Sequence, residues 1–320
     1  MTSASASTTM SDVSPPRPWF GYAVLVVLVA GVAAWLFLHR PGPADLPSPD
    51  IPVAPVELAG FHANAWFLPD APLYGFVEIP AGTFLMGNDT RTDAMAFENE
   101  RWSASQAQGT VHLPTFYLAR YEVTVAQFRA FVRETGVRVD ARTVQDPANH
   151  PVSFVSWPDA VAYSGWLDGV FRQSAETPPQ LSALLAAGWR VTLPTEAQWE
   201  KAARGTDGRR YPWGASAGRD RGNYGGPGTV PVGSYPCPEC PFDLFDLSGN
   251  VWEWTRSPYQ PYPFTPADDA DTLGQDALWV MRGGSFTDTE QNVRAAVRGG
   301  GDPGARRPFM GFRLAISPPD

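Results

Sequence analysis

The chain has 320 residues, 43% hydrophobic and 12% aromatic, and a formal net charge of −9. That apolar content is enough for a sizeable core and excludes wholesale disorder, while the acidic balance argues against nucleic acid as a partner. Twelve Trp, 30 Gly and 33 Pro point to a loop-rich, aromatic-heavy fold rather than a helical bundle, and two cysteines are too few for a disulfide scaffold.

Residues 1–18 form a short tail rich in Ser and Thr. Residues 19–38, from Trp19 to Leu38, carry no charge and match the ~20 residues that a bilayer-spanning helix needs. Trp19 and Tyr22 at one end and Trp35 at the other suit the two membrane interfaces. The segment lacks the polar face of a soluble helix. It is followed by His39-Arg40-Pro41 rather than by a small-residue cleavage site. An uncleaved, single-pass anchor in the inner (cytoplasmic) membrane is therefore expected, with the main domain periplasmic or otherwise extracytoplasmic. The flanking charges, Arg17 against His39 and Arg40, do not by themselves set that orientation. Residues 39–70 contain Pro41, Pro43, Pro47, Pro49, Pro52 and Pro55 and read as an extended tether.

Residues 71–318 read as one globular domain. Phe76–Pro80 and Thr83–Gly87 are strands around a Pro/Gly turn, and Thr115–Leu118 is a third. Thr124 caps a helix that carries Val125, Phe128, Phe131 and Val132 on one face. Ser156-Trp157-Pro158-Asp159 opens a second helix, with a capping Ser, an early Pro and an acid three residues on. Thr195-Glu196-Ala197-Gln198 opens a third, which Gly205 stops. Short helices among many short strands and long loops define an α+β class.

Eight segments in this order carry a resemblance: Ala81–Gly87, Tyr121–Phe128, Pro151–Trp157, Leu193–Glu200, Tyr211–Gly214, Gly249–Trp254, Arg282–Phe286 and Gly311–Leu314. The sequence resembles the formylglycine-generating enzyme (sulfatase-modifying factor) family over essentially the whole domain. The resemblance implies that family's fold, a C-type lectin-like variant with little regular structure. It also implies an oxidase that converts a protein cysteine to formylglycine at a Cu(I) ion held by two thiolates, soft ligands that select soft copper. Those two cysteines would lie just after Arg282-Gly283-Gly284-Ser285. Here Ser285–Arg294 contains none: Asp288 stands at the first position and the second has no counterpart. Ser285, Trp252 and Asp288 line the equivalent site, with no catalytic group assigned and no copper expected. Ser285 has no His or Asp beside it to make it a nucleophile and reads as a turn-closing hydroxyl.

Calcium is the expected cofactor. The resemblance assigns side-chain oxygens to Asp246 and Glu253 and backbone carbonyls to Gly249 and Val251, a mixed oxygen set suited to a hard cation. Of the family's second calcium site only Asn223 remains. Cys237-Pro238-Glu239-Cys240 is open to three readings, a redox couple, half a metal site or a structural disulfide, of which the disulfide is the default outside the cytoplasm. Arg294 and Arg298 read equally as a groove for an acidic or peptide ligand and as ties between loops. Arg282 and Arg313 read as ties to backbone carbonyls.

The expectation is a membrane-anchored family member of the cell envelope, degenerate at the copper and thiol site. It would bind or help to mature an exported protein or peptide and would have no nucleic-acid partner. The alternative is an active oxidase of the formylglycine-generating type, or another oxidative reaction on the same scaffold.

Overall fold

The computed structural model describes residues 61–62, 68–69, 72–265, 269 and 277–319, with side chains from residue 73 onward. The tail, the expected anchor over 19–38 and most of the tether lie outside these residues. Among the described residues no helix is long and apolar enough to cross a membrane.

Among the described residues, four helices stand where local chemistry starts and stops them. Helix α1 (Val125–Thr135) begins at Thr124, whose hydroxyl accepts from the Gln127 N–H while the Gln127 side chain bonds back to the Thr124 N–H. This reciprocal arrangement satisfies two otherwise orphaned donors. Gly136, at φ 64°, ends it in the left-handed region. Helix α2 (Trp157–Gln173) has the same box between Ser156 and Asp159. Helix α3 (Pro179–Ala186) has no side-chain cap, and no start signal in the sequence announced it. Helix α4 (Glu196–Arg204) opens on the Thr195–Gln198 box and stops at Gly205.

Twelve short strands surround them, the first pair being β1 (Phe61–His62) and β2 (Leu68–Pro69). β3 (Phe76–Ile79), β6 (Phe116–Ala119), β7 (Arg190–Thr192) and β12 (Ala315–Ser317) form an antiparallel sheet in the order β3-β6-β12-β7. β4 (Gly82–Met86) pairs with β5 (Gly109–Leu113), so the Pro/Gly turn after β3 leads into a different sheet. β8 (Trp252–Pro258), β9 (Trp279–Arg282), β10 (Arg298–Gly301) and β11 (Met310–Phe312) form a third sheet, ordered β10-β9-β8-β11, with β8 and β11 parallel. Between α4 and β8, residues 205–251 contain no helix and no strand, only an isolated bridge between Tyr211 and Gly214. The described fold is thus mixed helix and sheet with a large irregular fraction, as expected.

One hydrophobic cluster packs Phe128, Phe131, Tyr163 and Leu167 of α1 and α2 against Phe312, Leu314 and Ile316. A second packs Ala197, Trp199, Ala202 and Ala203 of α4 against Phe84 and Val111 of the β4–β5 hairpin. Every residue of α4 is buried, including Glu196, Glu200, Lys201 and Arg204. Buried charge is tolerated only when paired, and each of these is. Glu196 pairs with Arg298 and Arg282, and Glu200 with Arg204 and Arg282. Lys201 donates to the carbonyls of Pro80 and Gly82. Arg313, just beyond β11, forms a two-pronged pair with Glu253 of β8 (2.6 Å at each prong) and also donates to the carbonyls of Ala119, Arg120 and Phe245.

Removing one partner of such a pair strands the other charge. Arg313→Ala is expected to lower unfolding stability by about 3–5 kcal/mol, read as a shift of the urea midpoint. A loss below about 1 kcal/mol would show that the pair does not hold the loops it touches.

Candidate functional site

The region after Arg282-Gly283-Gly284 is built around Asp288. Gly284, at φ +70°, turns the chain at a point where a Cβ would lie 2.8 Å from the Asn292 carbonyl oxygen. Only glycine adopts that conformation without cost. The turn folds Asp288 back so that its Oδ2 accepts from Trp252 Nε1 (2.8 Å), the Ser285 N–H (2.9 Å) and Ser285 Oγ (2.7 Å), while Oδ1 accepts from Asn292 Nδ2 (2.8 Å). Of the roughly four acceptor sites of a carboxylate, those on Oδ2 are fully taken by three donors, while Oδ1 accepts one, and Asp288 lines an open hollow. Ser285 is wholly buried, and its hydroxyl is spent on Asp288 and Thr287. The expectation that no Asp stands beside Ser285 is corrected by the fold: the turn brings the Asp288 carboxylate to 2.7 Å from its hydroxyl.

The thiols lie elsewhere. Cys237 and Cys240 are joined in a disulfide, and the chain has no other cysteine, so no thiol is left for a thiolate metal site. The groups at this turn are neutral hydrogen-bonding groups and one carboxylate, which do not fit a two-thiolate Cu(I) ion. No step is therefore derived through copper.

The loop from Asp246 to Glu253 lies against this turn. The Gly249 N–H donates to Gly283 O, and the Phe286 N–H donates to Asn250 O. Asp246 and Asn250 both take left-handed backbone conformations (φ 59° and 62°), uncommon away from glycine. Gly249, at φ +94°, sits so close to Asn223 that a Cβ would lie 2.2 Å from its carbonyl oxygen. Asn250 is a hub: its Nδ2 donates to Glu122 Oε2, and its Oδ1 accepts from Asn223 Nδ2 and the Val230 N–H.

The four residues expected to hold calcium share this loop. Both oxygens of Glu253 are occupied, by Arg313 and by Trp199 Nε1 at 2.6 Å. Asp246 uses Oδ2 to accept from the Gly233 N–H. Among the described residues no three His, Cys, Asp or Glu side chains converge on one point. The charge count is nevertheless uneven. Glu122, Asp246 and Glu253 are all buried, they act on one another electrostatically, and Arg313 acts on all three. Burial, with neighbouring negative charge, pushes Asp246 up to about 6 and Glu122 well above the usual carboxylate range. Glu122 carries no distinguishing spacing in the sequence, and only folding brings it to this loop. At the second expected calcium position, Asn223 Nδ2 donates to Gly228 O (3.0 Å) and Asn250 Oδ1 (3.1 Å). An amide N–H there links oxygens that a cation would otherwise link.

Arg294 and Arg298 do not present free charge to a groove. Arg294 is clamped by Glu100 and Asp93. Arg298 is paired with Glu196 beneath the rings of Tyr259 and Tyr262. Of the two readings left open for them, the structure places both as ties, because acids more than 90 residues away meet them in the core. The residues that sequence reasoning missed are Arg219 and Glu290, which with Thr287, Asp288 and Thr289 line an open hollow of about 440 Å3. Nothing in their spacing marked them.

Small sheets, capped short helices and long loops bolted by buried arginines around an Arg-Gly-Gly-Ser turn define a class of loop-rich mixed folds. The chain belongs to the family of the sulfatase-modifying factor enzyme 1-like domain, whose model matches residues 68–318. It is 31% identical over 314 residues to a formylglycine-generating enzyme of Thermomonospora curvata, with 76% of this chain and 94% of that protein covered. It is 32% identical over 283 residues to the mouse protein named inactive C-alpha-formylglycine-generating enzyme 2, covering 75% of this chain and 85% of that one. In three dimensions it is similar to PvdO from Pseudomonas aeruginosa, with a TM-score of 0.61, 24% identity, and 76% and 94% of the two chains covered.

Two outcomes follow from the site. Asp288→Ala leaves four donors without their acceptor and is expected to cost roughly 2–4 kcal/mol. Asp288→Asn keeps one carbonyl oxygen and should cost less, and thermal unfolding orders the two. For Asp246, the folded state favours the neutral form. Its stabilising contribution is therefore present below about pH 4 and lost as pH rises through about 6. With chelator present, Asp246→Asn should be more stable than the parent at pH 7.5, by roughly 3 kcal/mol at most. That gap should close below pH 4, and a gap independent of pH would refute the assignment.

Proposed function

We propose that this chain is a member of the family whose thiol and copper chemistry has been replaced, and that it acts as a binding or maturation module for an exported protein or peptide. The observation that carries the reading is the carboxylate of Asp288. At the position where the family's oxidase would present a thiolate, this carboxylate is held by Trp252, Ser285 and Asn292. The inactive mouse relative supports the idea that this scaffold is kept without the reaction. The uncharged run over 19–38 supports an uncleaved anchor, which would tether the domain on the outer side of the cytoplasmic membrane. The uneven charge around Glu122, Asp246 and Glu253 supports a cation there. Calcium, held through Asp246 with carbonyls of its loop, is the proposed ion, supplying structural charge balance and no chemistry.

The deciding experiment titrates Cu(I) against a competing chelator on the full chain under reducing conditions, with Cys237→Ala/Cys240→Ala as control, and assays a cysteine-containing sulfatase peptide by mass spectrometry. The expected result is neither tight copper binding nor loss of the peptide's thiol mass. Turnover of that peptide would replace this reading with the oxidase. Calcium is checked separately: at pH 7.5 it should raise the melting temperature over a chelator control, and Asp246→Asn should abolish that rise.

A further inference from the structure

The Cys237–Cys240 disulfide joins residues only 3 apart in sequence, whereas the buried arginine ties join segments distant in the chain. The stabilisation that a disulfide supplies through chain entropy grows with the loop it closes, and this bond closes a single turn. Other contacts hold that turn as well. The Cys240 N–H donates to Cys237 O at 3.1 Å, and Pro238 takes the second position of the β-turn so formed, where its fixed φ is suited. Arg209 Nη1 donates to Glu239 O (2.7 Å) and to Pro212 O (2.9 Å), and Arg221 pairs with the Glu239 carboxylate (2.8 Å). Just beyond the turn, Pro241 packs so closely on Gly205 that a Cβ there would lie 2.9 Å from its ring, and Leu244 is buried in the second core cluster.

The pair is also within reach of a partner. Both cysteines are partly exposed, and Pro236, Pro238 and Glu239 beside them are exposed. The two Cα atoms lie 5.4 Å apart, and the hydrogen bond and the proline of the turn keep that spacing whether or not the sulfurs are joined. A sulfur bonded to an outside thiol would therefore have its resolving thiol already beside it, and the second step would be intramolecular, with the high effective concentration that such steps have. A bond that closes only one turn, is reachable from solvent and re-forms from a held dithiol suits exchange better than stapling.

We propose that Cys237–Cys240 is a thiol–disulfide exchange site that oxidises a dithiol in another polypeptide. One thiolate of that partner attacks a sulfur of the pair, the Cys237–Cys240 bond breaks and a mixed disulfide forms. The partner's second thiolate attacks the mixed bond, and the partner leaves with a disulfide of its own. Two electrons pass from partner to chain, and the protons of the partner's thiols end on Cys237 and Cys240. This exchange uses no group of the Asp288 turn and stands or falls apart from the binding reading above.

The test mixes the full chain in detergent, without oxygen, with an excess of a reduced synthetic peptide carrying a cysteine pair, then quenches with an alkylating mass tag and reads both molecules by mass spectrometry. The parent should lose its disulfide and gain a tag on each cysteine while an equal amount of peptide becomes oxidised. Cys237→Ser/Cys240→Ser should leave the peptide reduced. With glutathione disulfide in place of the peptide, the pre-reduced parent should close its own bond again. At least one of Cys237→Ser and Cys240→Ser should instead accumulate a mixed disulfide with glutathione, because its resolving thiol is gone. The oxidised and reduced parent should melt at closely similar temperatures, which places the exchange in the folded chain. A bond that the peptide opens only after urea has unfolded the chain, a reduced parent that no longer unfolds cooperatively, or single variants that both fail to trap glutathione would overturn the exchange site and leave a structural clip, with the binding reading untouched.

Discussion

The fold depends on guanidinium–carboxylate pairs closed off from water. In a chain with so little regular structure, long loops have few ladders to satisfy and hold them. Arg313 with Glu253, Arg294 with Glu100 and Asp93, Arg298 with Glu196, and Arg282 with Glu196 and Glu200 take over that task. Each joins segments far apart in sequence, and each guanidinium also donates to backbone carbonyls. A planar, five-donor cation suits this use better than an ammonium. Such pairs contribute little net stability over an apolar core, but breaking one is costly, so they specify the arrangement of loops more than they deepen the energy minimum.

The same economy shapes the site. The Asp288 turn is held by hydrogen bonds from Trp252 on β8, from Ser285 and from Asn292. It rests on a loop whose left-handed Asn250 is bonded to Glu122 and Asn223 and whose left-handed Asp246 accepts from the Gly233 N–H. This frame is rigid and polar and has no unspent nucleophile. Next to it, Arg219 and Glu290 are exposed on open walls.

Much of the fold was legible. The boxes at Thr124, Ser156 and Thr195 announce three helices at the residues where they begin, because capping is chemistry local to four residues. The cysteine-free stretch after Ser285 likewise shows at once that no two-thiolate site can form there. Helix α3 was missed because Pro178 and Pro179 offer no capping side chain. The pairing of β4 with β5 was missed because strand partners are chosen by packing across the sheet, which short strands barely encode.

At the site the division is sharper. The sequence by itself determined the family and the absence of cysteine after Ser285, since each is a matter of which residues are present. Only the tertiary structure decided that Arg294 and Arg298 are buried with Glu100 and Glu196, that Glu253 faces Arg313, and that Arg219 and Glu290 share one hollow. The reason is that a charge acts through its neighbours within a few ångströms. For these residues the neighbours come from segments many tens of residues away, brought together by the packing of loops that carry no periodic signal.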